Sequence, residues 1–219
     1  MVRSKYQISE SLPLGILLAV SGGFMDAYSY VCRNKVFANA ETGNLILLGI
    51  HLSERNYDEA RRYLCPVLAF VIGIALAEVS KRLARHLHWQ QISVLIEAGI
   101  LLFVSTLPQS KNLLANSLTS LACGIQVESF RTLLGHGVAT TMCIGNLRSG
   151  TENLVMYFDT KRKEHLKTGL LYYGVIVFFI SGAVIGFSAV MRFHEAAIKT
   201  CSLLLMAAFF LMFRENRHS

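Results

Sequence analysis

Six apolar runs, separated by short charged clusters, organise the chain. They cover residues 12–31, 63–77, 92–107, 113–130, 168–191 and 196–213. The plainest, 168–191, has 24 residues without a charge. An α-helix rises about 1.5 Å per residue, so about 20 apolar residues cross the hydrocarbon core of a bilayer. Two further stretches are mixed. Residues 36–52 are short and carry the polar cluster Glu41-Thr42-Gly43-Asn44, while 138–158 contain Arg148, Glu152 and Asn153. Each is either a full helix buried in the bundle or a re-entrant or broken one. Non-helical backbone at membrane depth is tolerated only where protein or a cavity surrounds it. The pattern predicts an all-α, polytopic transmembrane helix bundle with six plain spans and up to eight hydrophobic segments.

Composition sharpens this picture. Hydrophobic residues make up 53% of the 219 and charged ones only 16%, against about 25% in soluble domains. Mean hydropathy is +0.45. The net charge of +7 sits in clusters between apolar runs, as in cytoplasmic loops facing anionic headgroups. No nucleic-acid-binding motif accompanies it, so nucleic acid is not an expected partner. Five scattered cysteines without C-x-x-C spacing read as small packing residues rather than a disulfide framework or zinc site. The histidines form no H-E-x-x-H pattern, and no G-x-S-x-G, P-loop or dinucleotide fingerprint occurs. The expectation is a protein that is not an enzyme and has no cofactor or metal. The first apolar run contains Asp26 and is followed by Arg33 and Lys35 without an A-x-A-like site, unlike a cleaved signal.

Basic residues also give an orientation. Arg3 and Lys5 at the start, Lys161, Arg162, Lys163 and Lys167 after the second mixed stretch, and Arg214 and Arg217 at the end fall on one side whether or not the mixed stretches cross. By the positive-inside rule that side is cytoplasmic, placing both termini there. The longest polar loop is 53–62, and the chain reads as a single transmembrane domain.

The polar cluster returns 102 residues on, where Gly145-Asn146-Leu147 repeats Gly43-Asn44-Leu45. At that offset Gly22 falls on Gly124, Asp26 on Glu128 and Tyr28 on Phe130. The chain therefore reads as two copies of one unit, about 1–108 and 109–219. Three crossings per unit make the copies inverted, and four make them parallel; the sequence leaves both open. Internal duplication is frequent in transporters, with the site at the repeat interface.

These positions supply the candidate site. Gly22 and Asp26, and Gly124 and Glu128, are spaced i, i+4 and share a helix face. The glycine permits close helix approach and the acid points into the bundle. An intramembrane carboxylate costs several kcal/mol unless it is paired, protonated or hydrated; Arg131 can neutralise Glu128 locally. The Gly43-Asn44 and Gly145-Asn146 steps combine backbone freedom with an amide bearing donors and an acceptor. They are read either as a helix break or as a packing notch. Glu41 and Thr42 are candidates for the same cavity. Glu78 and Glu97 flank the basic loop Lys81-Arg82-Arg85 and are expected to pair with it near the interface. Arg148 and Glu152 are expected to form an i, i+4 ion pair.

The runs "GGFMDAYSYV" and "VFANAETGNLILLGI", followed by the second Gly-Asn step, resemble the YoaK-like family of bacterial membrane proteins, the domain of unknown function 1275. Gly22, Gly23, Asp26, Ala27, Thr42, Gly43 and Asn44 carry the specific part of the likeness, which extends over residues 12–213. The resemblance implies a multi-pass bacterial inner-membrane protein with about six spans and supplies no substrate. The function expected is a small-molecule or ion secondary transporter or permease. Its partners would be the lipid bilayer, a small polar solute or a cation or proton, and a second copy in a homodimer. A passive channel or a membrane scaffold is the alternative.

Overall fold

The apolar runs and the mixed stretches all form helices in the computed structural model, which describes residues 10–83 and 89–215. In order these are α1 (Leu12–Cys32), α2 (Glu41–Ser53), α3 (Tyr57–Leu83), α4 (Trp89–Val104), α5 (Asn112–Ser129), α6 (Cys143–Thr160), α7 (Lys163–Phe193) and α8 (Ile198–Glu215). A two-residue-per-strand hairpin, β1 (Thr132–Leu133) and β2 (His136–Gly137), pairs Thr132 with Gly137 between α5 and α6. Arg3, Lys5 and Arg217 of the orientation argument, and Arg85 of the basic loop, lie outside the described residues. The expected polar loop 53–62 is shorter than its composition suggested, because α3 already begins at Tyr57.

Among the described residues, three helical stretches are long and apolar enough to cross a membrane: Leu12–Cys32, Tyr57–Leu83 and Lys163–Met212. The last is α7 and most of α8, joined by the 3-10 turn His194–Ala197. Trp89–Val104 is a shorter apolar helix. The outer faces of α3 and α7 expose Leu68, Val71, Ile72, Leu76, Val177, Ile180 and Val184. Water penalises such continuous apolar surface, whereas lipid tails do not.

The packing has an exchange symmetry. α1 packs on α7 and α5 on α3; α2 packs on α3 and α6 on α7; α4 packs on α5 and α8 on α1. Exchanging α1–α4 with α5–α8 leaves this set unchanged. Small residues make the tightest pairs. A Cβ added at Gly23 would collide with the Phe179 carbonyl, and one at Gly182 with the Val20 carbonyl. On the other side, Gly124 meets the Phe70 carbonyl and Gly73 the Leu121 carbonyl. Gly124 thus has on α3 the place that Gly23, not Gly22, has on α7.

Polar contacts fix the directions of the helices. Gln126 donates to the Leu18 carbonyl (3.2 Å), and Asn116 donates to the Arg33 carbonyl (2.7 Å), so α1 and α5 run antiparallel. Arg33, fully buried where α1 ends, joins three helix ends. Its guanidinium donates to Tyr28 Oη (2.8 Å), Asn112 Oδ1 (2.9 Å) and the carbonyls of Val104 (3.2 Å) and Leu107 (2.8 Å). The last carbonyls of a helix carry partial negative charge, which offsets the burial of this cation. At the opposite end of the bundle, the Leu134 N–H donates to the Glu10 carbonyl (2.8 Å), fastening the segment after α5 beside the start of α1.

Candidate functional site

The chain reverses direction as soon as α1 ends. Asn34 and Lys35 take left-handed backbone, φ 63° and 61°, and residues 36–40 run back along α1. Asp26 holds them there. Its Oδ1 accepts the backbone N–H groups of Ala38 (2.8 Å) and Asn39 (2.7 Å), with that of Ala40 at 3.4 Å. Asn39 Nδ2 donates to the Gly22 carbonyl at 3.2 Å. The segment therefore travels from the end of α1 to its middle before α2 starts at Glu41. α2 then returns: His51 in its last turn stacks on Tyr63 of α3, ring centroids 5.6 Å apart.

Asn44 closes this loop on itself. Its Oδ1 accepts the Phe37 N–H (3.0 Å), and its Nδ2 donates to the Phe37 carbonyl (2.9 Å) and to Glu41 Oε2 (2.8 Å). The second half repeats the device from the other end of the bundle. After the hairpin, Asn146 Nδ2 donates to the Ala139 carbonyl at 2.7 Å, again reaching back seven residues. The segment before α6 also arrives at the middle of α1. Gly22 makes the room, since a Cβ there would sit 2.7 Å from Thr141 Cγ2.

Between the starts of α2 and α6 lies a cavity of about 720 Å³. Asp26, Asn39, Glu41 and Thr42 line it from the first half, and Thr141, Cys143 and Gly145 from the second, with aromatic rings from α1, α3 and α7 around them. Asn39 Oδ1 and Thr141 Oγ1, both in wall residues, are buried without a hydrogen-bond partner among the described residues, while the Glu41 carboxyl faces the buried Ser120 hydroxyl. Buried polar atoms are ordinarily satisfied, so such a group on a cavity wall marks a place where a ligand or water belongs.

The structure brings together Asp26, Glu41, Thr42 and Gly145 from the expected site and leaves the rest off the wall. Asn44 and Asn146 lie behind it as loop fasteners. Gly22 seats Thr141, Gly43 packs on the Phe37 ring, and Gly124 serves the α3–α5 contact. Glu128 faces Arg131 at 3.4 Å and does not line the cavity. The breaks precede the Gly-Asn steps, which themselves lie inside the first turns of α2 and α6. A helix starts where its neighbours let it, and here Asp26 sets that point.

Other residues also depart from expectation. Glu78 pairs with Arg82 at 2.8 Å as anticipated. Glu97 instead is fully buried in α4, and neither carboxyl oxygen has a hydrogen-bond partner among the described residues. Two helical turns separate it from Trp89, which carries it past the interface into the core. Arg148 and Glu152 are both exposed and form no ion pair among the described residues. Asn39, Thr141 and Arg33 were missed. Nothing local in the sequence distinguishes them; the pairing of loop with helix does. No group of three or more His, Cys, Asp or Glu among the described residues could hold a metal ion.

A family model described as a protein of unknown function, DUF1275, matches residues 14–211. The chain belongs to this family. The match runs from α1 into α8 and covers both loops and the residues that line the cavity. The UPF0700 transmembrane protein YoaK of Bacillus subtilis (strain 168) is 25% identical over 178 residues, 77% of this chain and 79% of that protein. No solved structure gives a significant match to this DUF1275 chain. Its apolar spans and its transmembrane relative together make it a membrane protein.

Proposed function

We propose that this DUF1275 protein is a permease, a non-enzymatic secondary transporter for a small solute, with its binding site in the Asp26 cavity. One observation carries the reading. Two helices, α2 of 13 residues and α6 of 18, each preceded by a segment entering from a different end of the bundle, start at the same level of α1 on one cavity. Half-length helices meeting near the bilayer midplane at a repeat interface are a recurring transporter device. At about 1.5 Å per residue, the 13 residues of α2 reach about 20 Å, short of a hydrocarbon core of about 30 Å.

In this reading α1, α3, α4, α5, α7 and α8 cross the membrane, and α2 and α6 are re-entrant. Each half then crosses three times, and the halves are inverted copies, which the exchangeable packing supports. The membrane is the bacterial cytoplasmic one. Lys81 and Arg82 join Lys161, Arg162, Lys163 and Lys167 on one face, which is cytoplasmic by the positive-inside rule and holds both termini. One chain supplies both halves of the cavity, so a homodimer is not needed to build it.

Cys143 lines the cavity and is partly exposed, which makes it a natural reporter. The experiment labels right-side-out and inverted vesicles with a membrane-impermeant maleimide and locates the adduct by mass spectrometry. A permease alternates its access, so Cys143 is labelled from both faces. Labelling from one face only, or from neither, would overturn transport in favour of a one-sided pocket or a scaffold.

A further inference from the structure

We infer that the cavity takes an organic cation, an amine or onium ion with an apolar or aromatic body. The inference deepens the permease reading at the same cavity, and relies on that reading only for movement of the ligand, not for its binding.

Charge comes first. Among the described residues the wall has two acidic ones, Asp26 and Glu41, and no lysine, arginine or histidine. Lys35 is exposed and lies over the Tyr30 ring, 4.8 Å from its centroid, without lining the cavity. Helix N-termini ordinarily favour anions. At α2 that preference is already answered: Asp26 takes the amides of residues 38–40, and Glu41 occupies the first turn.

The unsatisfied groups point the same way. Thr141 and Asn39 are only 4% and 5% exposed, yet Thr141 Oγ1 and Asn39 Oδ1 have no partner among the described residues. Asn39 Oδ1 can only accept, so together with the two carboxyl groups it makes this side of the cavity suit a donor or a cation rather than an anion.

The remaining wall is apolar and aromatic, with Phe37, Phe70, Phe179 and Phe187 beside Tyr30. Aromatic faces attract cations, more strongly once these are desolvated. A hydrated inorganic ion would gain nothing from such walls, whereas an amphiphilic cation gains from both walls and acids. The volume of about 720 Å³ is in the range that encloses a drug-sized body.

The probe is tetraphenylphosphonium, with tetraphenylborate as its anionic match in size and shape, measured by equilibrium dialysis on the purified full chain in detergent. Saturable phosphonium binding, at least about tenfold tighter than borate, is expected. Glu41→Gln keeps an oxygen for Asn44 and should weaken phosphonium binding about tenfold. Phe187→Leu, at a half-exposed ring, should weaken it about three- to tenfold. Equal or tighter borate binding would overturn the inference, as would phosphonium binding that neither variant changes. If Glu41→Gln fails to fold, Phe187→Leu still decides. Phosphonium binding with Cys143 labelled from one face keeps the ligand class and removes transport. Labelling from both faces without phosphonium binding removes the ligand class alone.

Discussion

Asn44 and Asn146 occupy matching positions but have unequal work. Asn44 is completely buried and makes three hydrogen bonds, two of them to the peptide groups of Phe37. Asn146 makes one, to the Ala139 carbonyl in its own loop. Removing a buried side-chain partner leaves peptide groups unsatisfied at about 1 kcal/mol or more each. Asn44→Ala should therefore lower stability by about 2–3 kcal/mol, and Asn146→Ala by about 1 kcal/mol. Thermal unfolding of the two variants in the same detergent checks the order; equal losses would mean that Asn44 does not hold the Phe37 loop. The amides were visible as a repeated motif in the sequence. Their role was not, because an asparagine that fastens its own loop and one that grips a solute look the same until its partners are known. Asp26 divides differently: Oδ1 holds the loop, yet the residue still lines the cavity. Glu97 shows the converse, an acid whose position near a basic loop suggested pairing but whose helix carries it into the core.

At the scale of elements, helix contacts depend on glycines whose missing side chains admit a neighbouring carbonyl. Gly23 on α1 meets Phe179 of α7 in this way. A methyl group there must push two packed helices apart, so Gly23→Ala should cost about 2 kcal/mol. Gly99 on α4 has nothing within 4 Å of an added Cβ, so Gly99→Ala should be neutral or slightly stabilising. Comparing the two melting temperatures tests the packing rather than glycine content. Helices α1, α3, α4, α5, α7 and α8 were readable from hydropathy, because each falls on a plain apolar run. Helices α2 and α6 were readable only as ambiguous stretches. What starts α2 is a carboxylate 15 residues earlier in the chain, and no local pattern records it. The repeat offset shows the same limit. The asparagines align at 102, but the packing matches Gly124 with Gly23, one position out of step. In that register Asp26 matches Val127, which explains why Glu128 has no part in the cavity.

The whole molecule turns on whether α2 and α6 cross or return. Single cysteines at three exposed loop positions separate the possibilities: Glu54→Cys after α2, Ser110→Cys between α4 and α5, and Arg162→Cys between α6 and α7. If both α2 and α6 return, position 54 shares a face with 110, because α3 and α4 together cross twice. Position 162 then lies on the other face, because α5 crosses once more and α6 does not. If both cross, all three positions share one face. The Arg33 cluster favours the first outcome, since it ties the end of α1 to the end of α4 and the start of α5. That arrangement needs α1 and α4 to finish at the same end, as they do with α3 alone crossing between them. An impermeant maleimide applied to intact cells should therefore label 54 and 110 from outside, and 162 only after the cytoplasmic face is opened. Labelling of all three from one face would make the halves parallel, and the two loops could no longer approach the Asp26 cavity from opposite sides of the membrane.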